Sequence, residues 1–248
     1  MRTLAGMPER FRHIGIAAVS PEGAALAYRL MYREAGRLYP GLELPRVTVH
    51  NEPLNVYIEA VRGEDWSTVA TMLARSAEIL ASAGAELVVT PDNAVQHAVR
   101  LIEHGSSIPW LAVPDLVADA VIADGRETVG IIGTRWVTQG SAYQAAFGLK
   151  GVKLQSPEQA DVDRLDEIIF SELIYGVSKP ETRASLLDIT ARLRDRGSEA
   201  LIVALSEAAL VLDVEEAGMP VYDASAVLAE RAVRAAAGSG DSGQPSPA

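Results

Sequence analysis

The chain contains a degenerate internal repeat, which constrains its fold more than any other feature of the sequence. Residues 80–97 and 193–207 follow one plan: a helical pattern ends at a glycine, a short apolar run follows, and small or polar residues come next. Gly84 and Gly197 suit the left-handed conformation at which many helices end. The apolar run after each glycine is typical of a strand buried on both faces. We therefore expect two halves of similar plan.

A second pair of segments supports the two halves. Residues 13–18 and 128–133 are each an apolar strand pattern followed by a small-residue turn and a helical pattern. Strand and helix patterns alternate along the chain, which predicts an α/β fold built from two similar doubly wound parallel-sheet domains. The predicted strands are 14–18, 46–50, 87–89, 109–113, 129–133, 201–203 and 221–223. The predicted helices cover about 21–36, 66–83, 95–102, 114–123, 165–173, 186–193 and 225–237, with a loop at 51–55.

The charge balance limits the expected partners. The 248 residues include 22 Lys and Arg against 33 Asp and Glu, for a formal net charge of −11. Nucleic acids and anionic membranes require clustered cations, so neither is expected as the main partner. No apolar run is long enough to span a bilayer, and residues 1–12 lack an uninterrupted apolar stretch, so we expect a cytoplasmic protein. Residues 238–248, rich in Gly, Ser and Pro, are a predicted disordered tail.

Polar side chains follow several predicted strands at their carboxyl ends, where parallel α/β sheets bind ligands. The turn after each repeat strand would also present backbone N–H groups at a helix N-terminus, where an anion can bind. Two such turns facing each other would form a carboxylate-binding cleft. No spacing of His, Asp or Glu indicates a metal site. The residues at strand ends are Ser20, His50, Asn51, Asp92, Asn93, Thr134, Ser206, Glu207 and Asp223.

Several segments match one known family in order and spacing. They are 14–15 with 20–22, 47–53, 84–93 (GAELVVTPDN), 133–134, 197–207 (GSEALIVALSE) and 220–223. Together they resemble the aspartate/glutamate racemase superfamily, most closely its aspartate racemase branch, over about residues 14–235. The resemblance implies two α/β domains related by a pseudo-two-fold axis, an active-site cleft between them, no cofactor and a homodimer. We expect a first domain of 1–115 plus 224–237 and a second of 116–223.

The resemblance is broken at two positions that carry the family's chemistry. Racemases of this family look alike in having a Pro-Cys-Asn-Thr motif in one half and a Gly-Cys-Thr-Glu motif in the other, with the two thiols on opposite faces of the substrate's α-carbon. Residues 91–94 are here Pro-Asp-Asn-Ala and residues 204–207 are Ala-Leu-Ser-Glu, and the chain has no cysteine at all. Leu205 has no ionisable group, so two-base inversion by the family route is not expected.

Asp92 is the predicted sole proton-transfer residue. Its reference pKa of about 3.9 is low for a base, and a helix N-terminus would lower it further unless desolvation dominates. The alternative is that Asp92 only caps the following helix. Asn93, Thr134 and Ser206 are predicted to bind an anionic or enolate-like oxygen, although simple turn chemistry would also explain them.

The remaining candidates rest mainly on their location. His50 and Asn51 lie in a region that lines the family's cleft, although His50 could equally be a structural histidine. Ser20 is either a helix cap or a substrate contact, and Glu207 either an acid or a buried hydrogen-bonding residue. Lys179 is close to the position at which family members place a substrate-binding lysine.

Three functional hypotheses remain open at this stage. The first is a cofactor-independent isomerase or lyase that uses one-sided acid/base chemistry on a small carboxylate or a natural-product intermediate. The second is a non-catalytic protein that binds an amino acid or a dicarboxylate in the same cleft. The third is an aspartate or glutamate racemase with replaced bases.

Overall fold

Two four-stranded parallel sheets form the framework of the molecule. The computed structural model describes residues 10–175, 177–206 and 214–238. The first sheet has the strand order β2-β1-β3-β4 and the second β6-β5-β7-β8, so the two sheets share one topology. The strands are β1 (Ile14–Ala18), β2 (Val47–Asn51), β3 (Leu87–Val89), β4 (Trp110–Leu111), β5 (Thr128–Ile132), β6 (Lys153–Gln155), β7 (Ala200–Val203) and β8 (Val221–Asp223). The α/β fold with two similar domains is confirmed.

Helices cover both faces of each sheet, as parallel crossovers require. The helices of the first half are α1 (Pro21–Leu38), α2 (Leu54–Arg62), α3 (Trp66–Ser82), α4 (Gln96–Ile102) and α5 (Val113–Ala123). Those that follow are α6 (Arg135–Thr138), α7 (Ser141–Gly148), α8 (Gln159–Ser171), α9 (Pro180–Asp195) and α10 (Ala224–Ala236). Short 3₁₀ turns cover Asn93–Val95, Glu103–Gly105, Leu173–Tyr175 and Val214–Ala217. No helix in the described ranges is long and apolar enough to cross a membrane.

The two halves repeat each other at the ends of helices α3 and α9. Gly84 and Gly197 end α3 and α9 with φ of 93° and 94°, the left-handed region that glycine enters at little cost. The residue after each glycine donates its N–H to the carbonyl of Leu80 or Leu193, at 2.9 and 3.1 Å. Because each helix ends the same way, each delivers the chain into the next strand, β3 or β7, in the same register against its neighbour.

The core has three parts. The largest joins the halves: it packs β1 and β3 side chains with those of β5 and β7 through α1, α5, α7 and α10. A second apolar cluster lies under α2, α3 and α4, and a third under α8 and α9. Helix α10 packs on α1 and α5, which is the neighbourhood expected for 224–237, although the domain boundaries themselves stay a prediction.

The structure corrects the predicted elements in several places. The predicted loop at 51–55 is wrong, because Asn51 ends β2 and α2 begins at Leu54 after Pro53. The strand predicted at 109–113 is only two residues long, because α5 begins at Val113 with Pro114 in its first turn, where proline is favoured. The short elements β6, α6 and α7 were not predicted, since none has a strong apolar period. Of the predicted tail at 238–248, Gly238 is described and residues 239–248 lie outside the described residues.

Candidate active site

A cavity of about 80 Å³ lies between the two halves, at the carboxyl ends of their central strands. We call it the central cavity. The turns after β1, β3, β5 and β7 supply its polar lining, which includes Ser20, Asp92, Asn93, Thr134 and Ser206. Helices α2 and α8 and the turn that follows α8 supply an apolar wall of Leu54, Ile58, Val61, Ile169, Phe170 and Ile174. The polar residues that were predicted to lie at strand ends therefore come together around one cavity.

Asp92 is held by the neighbouring turn of its own half. Its two carboxylate oxygens accept hydrogen bonds from the backbone N–H groups of Val19 and Ser20, each at 3.1 Å. The following turn, Asn93–Val95, receives no side-chain capping bond from Asp92. The helix-cap alternative is therefore wrong for this side chain, because its oxygens point across the sheet to the turn after β1.

Burial dominates the acidity of this carboxyl group. Desolvation raises the pKa of Asp92 from 3.8 to about 6, and hydrogen bonds from the Ser20 hydroxyl, the Ser20 amide and the Val19 amide oppose that rise. The carboxyl group lies in a largely apolar cavity, where the charged form is poorly solvated. Asp92 therefore titrates near neutrality, where a group can act both as acid and as base.

The equivalent position in the second half carries Leu205. Ile14 pairs with Leu87 in the first sheet, and Val129 pairs with Ala200 in the second. Asp92 and Leu205 lie the same number of residues after Leu87 and Ala200. Leu205 therefore has the same position after β7 that Asp92 has after β3. Leu205 is buried and lines the same central cavity. The cavity thus has a carboxyl group from one half and aliphatic carbon from the other.

Two buried hydroxyl groups lining the central cavity have no hydrogen-bond partner. They are Thr134 Oγ1, in the turn after β5, and Tyr57 Oη, on α2. Burial raises the pKa of Tyr57 well above its usual range, and the nearby Ser76 hydroxyl opposes that rise. The Tyr57 hydroxyl nevertheless has no partner in hydrogen-bond geometry. A buried polar group without a partner is costly, so each hydroxyl would be stabilised by a hydrogen-bond partner.

Comparison with known proteins now identifies the family. The family model described as Asp/Glu/Hydantoin racemase matches residues 16–232. The chain belongs to this family. A provisionally assigned Asp/Glu racemase from Yersinia pestis has 24% identity and a TM-score of 0.82, with 91% of this chain and 99% of that chain covered. An aspartate racemase homologue from Pyrococcus horikoshii has 22% identity and a TM-score of 0.76, again with 91% and 99% covered.

One further match has a different described chemistry. A glycine-to-cysteine variant of arylmalonate decarboxylase has 16% identity and a TM-score of 0.53, with 92% of this chain and 94% of that chain covered. At these identities the solved structures establish a shared fold. The family assignment itself rests on the match over 16–232.

Two predicted ligand contacts already have protein partners. Asn93 Oδ1 accepts a hydrogen bond from the Tyr143 hydroxyl on α7, at 2.6 Å. The Ser206 hydroxyl donates to the Pro91 carbonyl at 3.2 Å, and Asn93 Nδ2 donates to the same carbonyl at 3.4 Å. The Tyr143–Asn93 and Ser206–Pro91 bonds join the two halves beside the central cavity. Asn93 and Ser206 therefore line the site but also hold its two sides together.

Ser20 is a helix cap, and its predicted contact with substrate stays a prediction. Its hydroxyl accepts the Gly23 N–H at 3.0 Å, which caps α1, and the same residue lines the central cavity beside Asp92. His50 and Asn51 do not line this cavity. His50 Nδ1 is 3.0 Å from the Ser76 hydroxyl, and Asn51 Nδ2 donates to the Val19 carbonyl at 3.3 Å, which positions the turn that holds Asp92.

Lys179 also lies away from the central cavity. Its ammonium group donates to Glu172 at 2.8 Å, and the Lys179 and Thr182 side chains lower the pKa of that carboxyl. Asp223 caps α10 by accepting the Ser225 N–H at 2.8 Å. Glu207 lies outside the described residues.

Tyr57 is a polar lining residue that the sequence analysis did not predict. The signal was present: Leu54, Tyr57 and Val61 recur at the spacing of one helical face. The prediction of a loop at 51–55 removed this segment from consideration.

Proposed function

We propose that this protein is an enzyme that transfers a proton at the α-carbon of a small carboxylic acid on one face only, with Asp92 as the acid or base. The observation that carries the proposal is the pairing of Asp92 and Leu205 at equivalent positions around one cavity. A family racemase would need a proton carrier at both. A single proton carrier supports proton transfer on only one face of the substrate's α-carbon.

The acidity of Asp92 suits this role. With a pKa of about 6, about 10% of the carboxyl groups are protonated at pH 7, against less than about 0.1% for an unperturbed aspartic acid. Asp92 is only partly buried, so it can exchange its proton with solvent between turnovers.

Thr134 and Tyr57 supply the second requirement. Proton transfer next to a carboxylate passes through an enediolate, whose oxygens gain negative charge and need hydrogen-bond donors. The unpartnered hydroxyls of Thr134 and Tyr57 line the same cavity as Asp92. Tyr57 keeps its proton because its pKa is raised, so it acts as a donor.

Decarboxylation followed by protonation is the reaction of this class that the cavity favours. A substrate carboxylate placed against the apolar wall loses solvation, whereas the carbon dioxide that leaves is neutral. In a malonate, the bond between the α-carbon and that carboxyl carbon breaks, the electron pair is taken up by the remaining carboxylate as the enediolate, and Asp92 then gives its proton to the α-carbon. Solvent restores the Asp92 proton. The likeness to arylmalonate decarboxylase supports this choice as an analogy of fold.

The other expectations remain parts of this proposal. The substrate is a small carboxylate, as the family implies. Independence from a cofactor and a homodimer are predictions by resemblance, and a cytoplasmic location is a prediction from the sequence. Size-exclusion chromatography with light scattering would test the dimer.

Proton NMR in heavy water tests the chemistry. The protein is incubated with α-substituted malonates, dicarboxylates and L- and D-amino acids, and the α-proton signal is followed. Malonate loss with deuterium delivered to one face supports a lyase, and exchange without inversion supports one-base chemistry. Exchange with inversion at aspartate or glutamate would contradict the one-sided mechanism. Binding without any exchange would indicate a non-catalytic binding protein.

Two variants assign the roles. Asp92→Asn should lower turnover by about 10²–10⁴-fold, the usual range for general acid catalysis, while substrate still binds. Thr134→Val should lower turnover by about 10²–10³-fold without lowering stability, because it removes a buried hydroxyl that has no partner. Thr190→Val on α9 is the matched control: it removes a buried hydroxyl bonded to Leu186 at 2.8 Å, far from the cavity, and should leave turnover unchanged.

A further inference from the structure

Phe170 forms the boundary between two cavities. It lines the central cavity and also an outer groove of about 590 Å³, which runs between α2, α6 and α8. Arg62, Arg135 and Asp163 are among the charged residues of the outer groove. The Phe170 ring therefore lies between the central cavity and the charged outer groove.

The Phe170 ring is held from both halves of the molecule. The guanidinium carbon of Arg62, on α2, lies 5.0 Å from the ring centroid, within the range of a cation–π contact. The Trp136 ring packs edge-on against Phe170, with centroids 5.7 Å apart and planes at 86°. Arg62 belongs to the first half and Phe170 to the second, so this contact closes the central cavity across the gap between them.

Apart from a carboxylate that leaves as carbon dioxide, the rest of the wall favours an uncharged group. Helix α2 contributes three apolar side chains to the central cavity, and the second half contributes two more. They are Leu54, Ile58 and Val61 from α2, and Ile169 and Ile174 from the second half. Among its described lining residues, Asp92 is the one that carries a charge, and none is Lys or Arg. A carboxylate that stays on the substituent, such as the side chain of aspartate or glutamate, would be desolvated here without a cation to pair with and without release as carbon dioxide.

We propose that Phe170, clamped by Arg62, is a specificity-determining residue that sets the maximum size of an uncharged, apolar substituent on the substrate's α-carbon. This inference rests on the proposed function, because it concerns the acid on which Asp92 acts. The substrate class is then an α-alkyl or α-aryl carboxylic acid whose substituent fills the central cavity as far as the Phe170 ring.

Size selection of this kind has a definite signature. Each methylene buried against an apolar wall improves binding by about fourfold, from about 0.8 kcal/mol per group. Affinity should rise along a homologous series and then fall once the chain reaches the Phe170 ring. The length at which it falls is the measured quantity.

The test uses 2-alkylmalonates from 2-methylmalonate to 2-hexylmalonate. Titration calorimetry gives dissociation constants in the Asp92→Asn background, where the ligands are not consumed, and KM values are followed in the native background. Phe170→Ala should move the length limit by at least two carbons and Phe170→Leu by less. Arg62→Ala should relax the limit while the ring stays in place. Arg164→Ala, on the same helix and paired with Glu167, should leave the limit unchanged.

The outcomes separate this inference from the proposed chemistry. A shifted limit without turnover in any variant would support the boundary role and refute the chemistry, whereas turnover with an unshifted limit in Phe170→Ala would refute the boundary role. Tighter binding of 2-(2-carboxyethyl)malonate than of 2-butylmalonate would overturn the uncharged substituent. Failure of the whole series to bind the native protein would overturn the substrate class.

Discussion

The raised pKa of Asp92 must appear in the pH dependence of folding, whatever the substrate is. A carboxyl group whose pKa is higher in the folded chain than in the unfolded chain binds more protons when folded. Its contribution to stability is fully present below the unfolded pKa and is lost as the pH rises through the folded pKa. For Asp92 that window runs from 3.8 to about 6.

The magnitude follows from the same two values. One pH unit corresponds to 1.36 kcal/mol, so a rise from 3.8 to about 6 corresponds to about 3 kcal/mol over the whole titration, of which about 2.4 kcal/mol is lost between pH 4 and pH 7. Asp92→Asn removes the titration but keeps one oxygen that can accept the Val19 or Ser20 N–H. The stability of the native protein relative to Asp92→Asn should therefore fall by about 2.4 kcal/mol between pH 4 and pH 7.

Urea unfolding of both proteins at half-unit steps from pH 4 to pH 8 measures this difference. Asp65→Asn is the control with the opposite sign: Asp65 caps α3, and hydrogen bonds from the Thr68 side chain and backbone lower its pKa. Its stabilisation is present above pH 3.8 and is lost only as the pH falls below that value, so the difference between native protein and Asp65→Asn should stay nearly constant from pH 4 to pH 8. A difference between native protein and Asp92→Asn that is constant with pH would refute the argument from burial.

Three further changes have clear expected results. Leu205→Cys places a second proton carrier in the cavity, so one-sided exchange should become exchange with inversion, which NMR with a chiral solvating agent detects. Tyr143→Phe removes the donor to Asn93 and should cost about 1–3 kcal/mol in urea unfolding, since a buried acceptor loses its partner. Gly84→Ala and Gly197→Ala force alanine to φ near +93° and should each cost about 1–2 kcal/mol in thermal unfolding; clearly unequal costs would argue against equivalent helix ends.

The sequence predicted the framework because its strongest signals are local. The glycine at the end of α3 or α9 and the apolar run after it determine a helix end and a strand within about ten residues, and the structure matches both copies. The strand ends then follow from parallel topology, which is why Asp92, Thr134 and Ser206 were placed at one site before any contact was known.

Hydrogen-bond partners could not be predicted in the same way. Whether Ser206 faces a ligand or the Pro91 carbonyl depends on how two halves more than a hundred residues apart meet. The same holds for Asn93, whose partner Tyr143 lies on α7, a helix without a strong apolar period. His50 lies at a strand end as predicted, but it is on β2, whereas the turns that line the cavity follow β1, β3, β5 and β7.

The two halves have diverged in a complementary way around the shared cavity. By the register of the sheets, Val19 and Thr134 are equivalent, as are Asp92 and Leu205. In the first half the Val19 amide is committed to the Asp92 carboxylate. In the second half Leu205 offers no acceptor, and the Thr134 hydroxyl is left without a partner. Around this cavity, one half therefore contributes the Asp92 carboxyl group, and the other contributes Leu205 and a Thr134 hydroxyl without a protein partner.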